Sequence, residues 1–153
     1  MNNLVEDAKK ILLDNRRSGY TLPTNNKLYP AQWNWDSAFI SLGYSYFNLD
    51  YAIEELETLL KGQWDDGMIP HILFHEVDDS YFPNHATWSC GKEIPSSGIT
   101  QPPIAASILR IIVKNNQLNK IQNKKVYSLI CKLKKYHEWF FKNRDKNQSG
   151  LIS

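Results

Sequence analysis

Apolar residues recur along most of this chain at spacings of three and four, the period that places them on one face of an α-helix. The first predicted helix ends before the polar run RRSGY and rests on Leu4, Ala8, Ile11 and Leu12. A nearly continuous apolar and aromatic run from Ser37 to about Asn48 predicts a second helix, buried on most of its sides. A third helix is predicted from Asp50, a good N-cap residue, to Gly62.

The apolar spacing in the second half of the chain predicts two further helices. The fourth opens at Thr100, with Pro102 and Pro103 in its first turn, where a missing N–H is no loss. The fifth keeps the helical period over four turns, at Val126, Leu129, Ile130, Leu133, Tyr136, His137 and Phe140. Because five helices are accompanied by no convincing strand pair, we predict an all-α fold.

An irregular stretch of some 35 residues, from Asp65 to Ile99, separates the third helix from the fourth. Structureless connections of this length are uncommon inside a compact domain, and such a stretch is usually either functional or a sign of a wrong element assignment. This one is rich in aromatic, histidine and proline residues and lacks the polar composition of a linker. The pattern therefore predicts a functional loop.

The length and composition are typical of one globular domain. The chain has 153 residues, of which 42% are hydrophobic and 22% charged, which favours a packed core and excludes a disordered or collagen-like protein. No apolar run approaches the roughly 18 residues of a membrane span, and the opening MNNLVEDAKK lacks the apolar stretch of a secretory signal. We therefore expect a cytoplasmic protein with no membrane partner, whose two cysteines, Cys90 and Cys131, are reduced.

Charge is distributed unevenly along the chain. Residues 1–113 carry 8 basic and 14 acidic side chains, whereas residues 114–153 carry 10 basic and 2 acidic ones. A basic tail can indicate nucleic-acid binding. Here the lysines fill the polar positions of the predicted fifth helix without a base-stacking motif beside them. We interpret them as a solvated helix face and expect no nucleic-acid partner.

Thirteen of the nineteen aromatic residues fall between Tyr29 and Trp88. Six of these rings are predicted in loops or at helix entries, namely Tyr29, Trp33, Trp35, Trp64, Tyr81 and Trp88. A sugar can stack its C–H face on such a ring while its hydroxyls find carboxylate, amide or imidazole partners. For any single tryptophan, burial in the core is the better interpretation. The cluster with its polar neighbours favours a carbohydrate pocket.

Asp36 stands at the predicted start of the second helix, in the segment YPAQWNWDSAF. Asp36 or Ser37 could act as the N-cap and satisfy the exposed N–H groups of the first turn. A second interpretation keeps the cap and adds that Trp33, Trp35 and Asp36 project from the helix N-terminus toward a pocket, where the carboxylate can hold two vicinal sugar hydroxyls. The spacing leaves both interpretations open, and Gln101 in SSGITQPP is predicted at the edge of the same pocket.

The two histidines of DDGMIPHILFHE, His71 and His75, are four residues apart, which on a helix would suggest a metal pair. Gly67 and Pro70 disfavour a helix there, and no third ligand has a suitable spacing. We therefore predict a hydrogen-bonded His71 in an ordered loop and no metal. Residues 145–150 match the opening of a calcium loop only loosely and predict a helix-ending turn.

Four motifs, QWNWDSAF, DGMIPHI, YFPN and SSGITQPP, follow one another within residues 29–103. Together they resemble the N-terminal part of six-hairpin glycosidases of the mannosylglycerate and glucosylglycerate hydrolase type, akin to glycoside hydrolase family 63. The resemblance implies an (α/α)6 barrel of twelve helices, of which about five lie in this chain. It also implies sugar binding among the loops at one end, and inverting hydrolysis by two carboxylates without a cofactor.

The resemblance also implies which residues grip the glycosyl unit and its short acidic aglycone: Tyr29, Trp33, Trp35, Asp36, His71, Tyr81 and Gln101. None of these is the expected acid or base. The family's general acid is an Asp in a segment resembling ESGMDNSP, shortly after the turn that here reads KNRDKNQSGLIS, and its base is a Glu much farther on. We therefore expect residues 1–153 to be the N-terminal portion of a single barrel domain, truncated at its C-terminal end and inactive alone.

The expected substrate is a small glucosyl or mannosyl compound such as glucosylglycerate or mannosylglycerate. Two alternatives stay open from the sequence. One is a family 63 type α-glucosidase that acts on oligosaccharides. The other is a non-catalytic helical module that binds sugar or a protein partner.

Overall fold

The computed structural model describes residues 3–24 and 28–152, and helices dominate this part of the chain. The five predicted helices are all present, which confirms the all-α class. A short additional helix and a two-stranded ribbon occur as well. The elements are α1 (Leu4–Asp14), β1 (Gln32–Trp33), α2 (Asn34–Ser45), α3 (Leu49–Lys61), β2 (Ile72–Leu73), α4 (His85–Trp88), α5 (Ala105–Asn115) and α6 (Lys120–Arg144).

Four helices enclose the main core. α2 packs against α3 and α5, and both of these contact α6, while α1 lies against α2. The side chains at the centre are almost completely buried, among them Leu56, Leu59, Ile69, Leu73, Ile112 and Leu133. Within residues 3–24 and 28–152, no helix combines the length and the apolar character that a membrane crossing requires.

α2 is buried on one face only. The prediction that it is buried on most of its sides is therefore wrong. The buried face includes the small residues Ala38 and Ser41. Small side chains allow neighbouring helices to approach closely, and Ser41 donates a hydrogen bond to the Ala52 carbonyl of α3. Phe39, on the other side of the helix, is 57% exposed.

The starts of α2 and α3 also differ from the prediction. The N-cap of α2 is Trp33, so Asp36 and Ser37 lie inside the first turn and neither is the cap. The N-cap of α3 is Asn48, whose side-chain oxygen accepts a hydrogen bond from the Tyr51 N–H at 3.1 Å. Asn is among the best N-cap residues, which explains why the helix starts before Asp50.

The prediction that the chain has no strand pair is wrong. β1 and β2 are antiparallel, with Gln32 opposite Leu73 and Trp33 opposite Ile72. All four residues are buried. Two residues per strand are too few to show a period of two in the sequence, which is why the pair escapes detection. The ribbon joins the entry to α2 to the first third of the predicted functional loop.

α5 begins at Ala105, five residues later than predicted, so Pro102 and Pro103 precede the helix. The residues before them take part in hydrogen bonds to other elements. The Thr100 hydroxyl donates to the Ile69 carbonyl at 2.6 Å, and the Gln101 carbonyl accepts from α6 at 2.8 Å. These tertiary bonds keep the segment out of the helix.

The hydroxyl group of Tyr136, a fully buried residue of α6, connects several elements. It donates to the Gln101 carbonyl at 2.8 Å and accepts from the Asn34 side-chain amide at 3.2 Å. The Thr100 hydroxyl oxygen lies 2.5 Å away. One oxygen atom of α6 therefore connects the first residue of α2 with the segment that precedes α5.

Tyr136→Phe should lower the free energy of unfolding by about 1–3 kcal/mol, because it leaves buried polar groups without a partner. Urea denaturation of the 153-residue chain measures this change. The matched control is Tyr127→Phe on the same helix, where the ring is 70% exposed and the change should stay within about 0.5 kcal/mol. Equal midpoints for the two variants would contradict the importance of the Tyr136 hydroxyl.

A tight turn after α3 rests on α6. Its Gly67 has φ +104°, and a Cβ atom there would lie 2.7 Å from the Lys135 carbonyl oxygen. Asp66 receives hydrogen bonds from the Met68 N–H at 3.1 Å and from the Trp139 indole N–H at 2.8 Å. The glycine of the DGMIPHI motif thus permits both the backbone angle and the close approach to α6.

Gly67→Ala should destabilise the fold by about 2–3 kcal/mol, because the new methyl group meets both a backbone conformation that L-residues rarely adopt and a fixed carbonyl. Gly91→Ala is the matched control, since Gly91 also has a positive φ, +61°, but a Cβ there has no neighbour within 4 Å. Its cost should be about 1 kcal/mol. Thermal unfolding measures the loss of stability in both variants. Equal losses would contradict a role for the close approach of Gly67 to the Lys135 carbonyl.

Candidate functional site

A pocket of about 280 Å³ opens beside the N-terminus of α2. Its lining residues come from the stretch before β1, from β1 itself, from the first turn of α2 and from the segment before α5. They are Pro23, Tyr29, Trp33, Trp35, Asp36 and Gln101. Five of the seven predicted binding residues thus line one concave surface, although they are up to 72 positions apart in the sequence. Of the described lining residues, Pro23 is the one that the sequence analysis did not name.

Three aromatic rings stand edge to face along this surface. The ring centroids of Tyr29 and Trp33 are 5.2 Å apart, and those of Trp33 and Tyr81 are 5.6 Å apart, both pairs close to perpendicular. Tyr81 is therefore held next to the pocket through Trp33. Trp33 is only 7% exposed, whereas Tyr29 is 38% and Trp35 is 42% exposed. Trp33 is thus buried, while the more exposed rings of Tyr29 and Trp35 can contact an apolar face of a ligand.

Two polar side chains accompany the rings. The Gln101 side-chain oxygen accepts a hydrogen bond from the backbone N–H of Trp35 at 3.0 Å, which joins the segment before α5 to the first turn of α2. The Asp36 carboxylate lies in that same turn and is half-buried. Burial raises its pKa, while hydrogen bonds from its own backbone N–H and from the Trp35 side chain oppose the rise. The pocket therefore combines one acid and one amide with flat rings.

His71 occupies a hydrogen-bonded loop position, as predicted. Its Nδ1 lies 2.5 Å from the Ser97 hydroxyl oxygen, and its backbone carbonyl accepts from the Asn34 N–H at 3.0 Å. Burial lowers the pKa of its imidazole. Among the described residues, the pocket lining does not include His71, whose ring lies instead 5.6 Å from that of Trp88. His71 is therefore bonded to the first residue of α2 but does not itself line the pocket.

Two motifs contain side chains of the types that bind metals, namely His71 with His75 and the turn at residues 145–150. In the described part of the chain, no group of three or more His, Cys, Asp or Glu side chains is arranged to hold a metal ion. The Asp145 carboxylate accepts hydrogen bonds from the Ser149 and Gly150 N–H groups, both at 2.8 Å. These bonds close a turn after α6, which confirms the predicted helix-ending turn.

A buried polar network behind β1 escaped the sequence analysis. One carboxylate oxygen of Glu55 accepts from the Gln32 side-chain amide at 2.9 Å and from the Ser37 hydroxyl at 2.7 Å. The Gln32 side-chain oxygen pairs with Nε2 of His75 at 2.8 Å. Burial raises the pKa of Glu55 to about 7 and lowers that of His75 to about 4. Burial therefore disfavours the charged form of both groups under the pocket wall.

Comparison with known proteins shows which family the chain resembles. The family model of the mannosylglycerate hydrolase MGH1-like glycoside hydrolase domain matches residues 29–153. Mannosylglycerate hydrolase MGH2 of Selaginella moellendorffii is 42% identical over 150 residues, which are 97% of this chain and 30% of that protein. Glucosylglycerate hydrolase of Mycolicibacterium hassiacum is 35% identical over 138 residues, 82% of this chain and 31% of that protein.

A solved structure agrees with these matches. The family 63 mannosylglycerate hydrolase of Thermus thermophilus, crystallised with Tris and D-glycerate, superposes with a TM-score of 0.90 at 39% identity. The superposition covers 97% of this chain and 35% of that one, so the chain spans about a third of the length of the relatives it matches. The fold and the resemblance inferred from four motifs are confirmed, and the chain belongs to the mannosylglycerate hydrolase MGH1-like glycoside hydrolase family.

Proposed function

We propose that residues 1–153 form the substrate-binding part of an inverting glycoside hydrolase that acts on a small glucosyl or mannosyl compound, such as glucosylglycerate or mannosylglycerate. The observation that carries the proposal is the pocket in which Tyr29, Trp33, Trp35, Asp36 and Gln101 converge. The relatives named for mannosylglycerate and glucosylglycerate hydrolysis support the choice of substrates.

The chemistry of the pocket suits a sugar. The exposed faces of Tyr29 and Trp35 can stack on the C–H groups of a pyranose ring, while the Asp36 carboxylate accepts hydrogen bonds from two neighbouring hydroxyls. Gln101 adds an amide at the rim. In this proposal Tyr81 and His71 act from behind the pocket wall, Tyr81 through Trp33 and His71 through the first residue of α2.

We further propose that this chain is the N-terminal portion of one (α/α)6 barrel domain and that the reacting acid and base lie in the remainder. Of the described residues that line the pocket, Asp36 is the one carboxylate, whereas glycoside hydrolysis uses two. An apolar groove of about 580 Å³ between α5 and α6 supports the same proposal, because further barrel helices would cover it. Its walls include Leu109, Val113 and Ile130. The cytoplasmic location stays a prediction from the sequence.

Asp36→Ala should weaken sugar binding in the complete protein by about 10- to 100-fold, because a charge-assisted hydrogen bond contributes roughly 1.5–3 kcal/mol. The measurement is KM and kcat/KM with mannosylglycerate and glucosylglycerate. Asp7→Ala is the matched control, since Asp7 is also an acid in the first turn of a helix, α1. Unchanged kinetics in a folded Asp36→Ala variant would reduce Asp36 to a structural residue of that turn.

The isolated chain of residues 1–153 should release neither glucose nor mannose from these two glycosides, because Asp36 is the one carboxylate among the described residues that line its pocket. The complete protein should release one of them. Chromatographic detection of free glucose and mannose after long incubation measures the release by the isolated chain and by the complete protein. Sugar release by the isolated chain that disappears on Asp36→Asn or Asp66→Asn would place the acid within this sequence.

The gene sequence distinguishes the enzyme from the alternative of a non-catalytic module. A stop codon directly after Ser153 would favour the non-catalytic module.

A further inference from the structure

The segment Trp33–Asp36 supplies three of the pocket-lining side chains, and the residues on both sides of it are bound to one atom. Gln32 precedes the segment and Ser37 follows it. The Gln32 amide nitrogen and the Ser37 hydroxyl both donate to Oε1 of Glu55, at 2.9 and 2.7 Å. A single carboxylate oxygen on α3 therefore fixes the two ends of the segment relative to each other.

Glu55 is an unusual residue for this position, because it is completely buried on α3. No Lys, Arg or His in the described ranges forms an ion pair with it. Its second oxygen, Oε2, has no well-aligned hydrogen-bond partner among the described residues, although Thr21 lies close enough to lower the pKa of the Glu55 carboxyl group. Burying a carboxylate in this way is destabilising, so packing alone does not account for its presence.

The Gln32 side chain is held from more than one direction. Its nitrogen also donates to the Glu55 backbone carbonyl at 3.2 Å, and its oxygen pairs with Nε2 of His75 at 2.8 Å. Because that oxygen can only accept, Nε2 of His75 carries the proton. The His75 ring in turn lies 4.2 Å from the ring of Tyr20. The amide therefore has one orientation, with its nitrogen toward Glu55.

We propose that Glu55 is a positioning residue of the substrate pocket, whose carboxylate holds Gln32 and Ser37 and thereby sets the geometry of Trp33, Trp35 and Asp36. This inference rests on the proposed function, because the pocket is taken to bind the glycoside. Glu55 does not line the pocket, so it acts on substrate only through the segment that it holds.

Two variants of Glu55 test the inference, with Glu57→Ala as the matched control. Glu57 is on the same helix but pairs with Lys125 at 2.7 Å and has no bond to the segment. In the complete protein, Glu55→Ala should raise KM for mannosylglycerate or glucosylglycerate about tenfold and change kcat by less than about threefold. Glu55→Gln keeps a carbonyl acceptor and should raise KM by only about threefold. Glu57→Ala should leave both constants unchanged.

Hydrogen exchange of the amides of residues 33–37 provides a measurement that needs no substrate. Exchange should be about tenfold faster in Glu55→Ala than in the control, and Glu55→Gln decides the question if Glu55→Ala does not fold. Unchanged exchange, or a fall in kcat with KM unaltered, would overturn the positioning role. Failure of the unsubstituted complete protein to hydrolyse either glycoside would instead reject the proposed function, and the exchange rates alone would then decide the role of Glu55.

Discussion

Hydrogen bonds between polar groups buried beneath the pocket determine how the helices and loops meet. The Tyr136 hydroxyl satisfies the Asn34 amide and the Gln101 carbonyl, so α6, α2 and the segment before α5 share one oxygen atom. Behind β1, one oxygen of Glu55 accepts from Gln32 and Ser37. The pocket wall thus depends on two side chains that do not line it. Each is placed by a long helix whose apolar face is fixed in the core.

α2 connects the core to the pocket. Its buried face packs against α3 and α5, while its first turn carries Trp35 and Asp36 into the pocket. A side chain on a regular helix that is packed on two sides is held more precisely than one on a free loop. The loop residues Tyr29 and Gln101 are then fixed against this helix, Tyr29 by its ring contact with Trp33 and Gln101 by its bond to the Trp35 N–H.

Much of the fold could be predicted from the sequence, because the period of apolar residues survives in every long helix. The ends of the helices could not, since they depend on which polar group finds a partner elsewhere. Asn48 takes the cap of α3 that Asp50 was expected to provide, and Asp50 instead accepts from Gln122 of α6 at 2.8 Å. Thr100 and Gln101 are bound to neighbouring segments, so α5 starts late. Such competition between local and tertiary partners is not encoded in spacing.

The residues that line the pocket were easier to predict than the buried residues that hold them in place. The motifs contain the residues that face a ligand, but they show little of the side chains packed behind those residues. Glu55 did leave a signal. Ala52, Glu55, Leu56 and Leu59 follow the helical spacing, so an acid stands within an apolar stripe. A charged residue on a face that is otherwise apolar must either be displaced from the core or meet polar partners there. Gln32 and Ser37 are those partners, and their position on either side of Trp33–Asp36 gives the buried acid a role at the pocket.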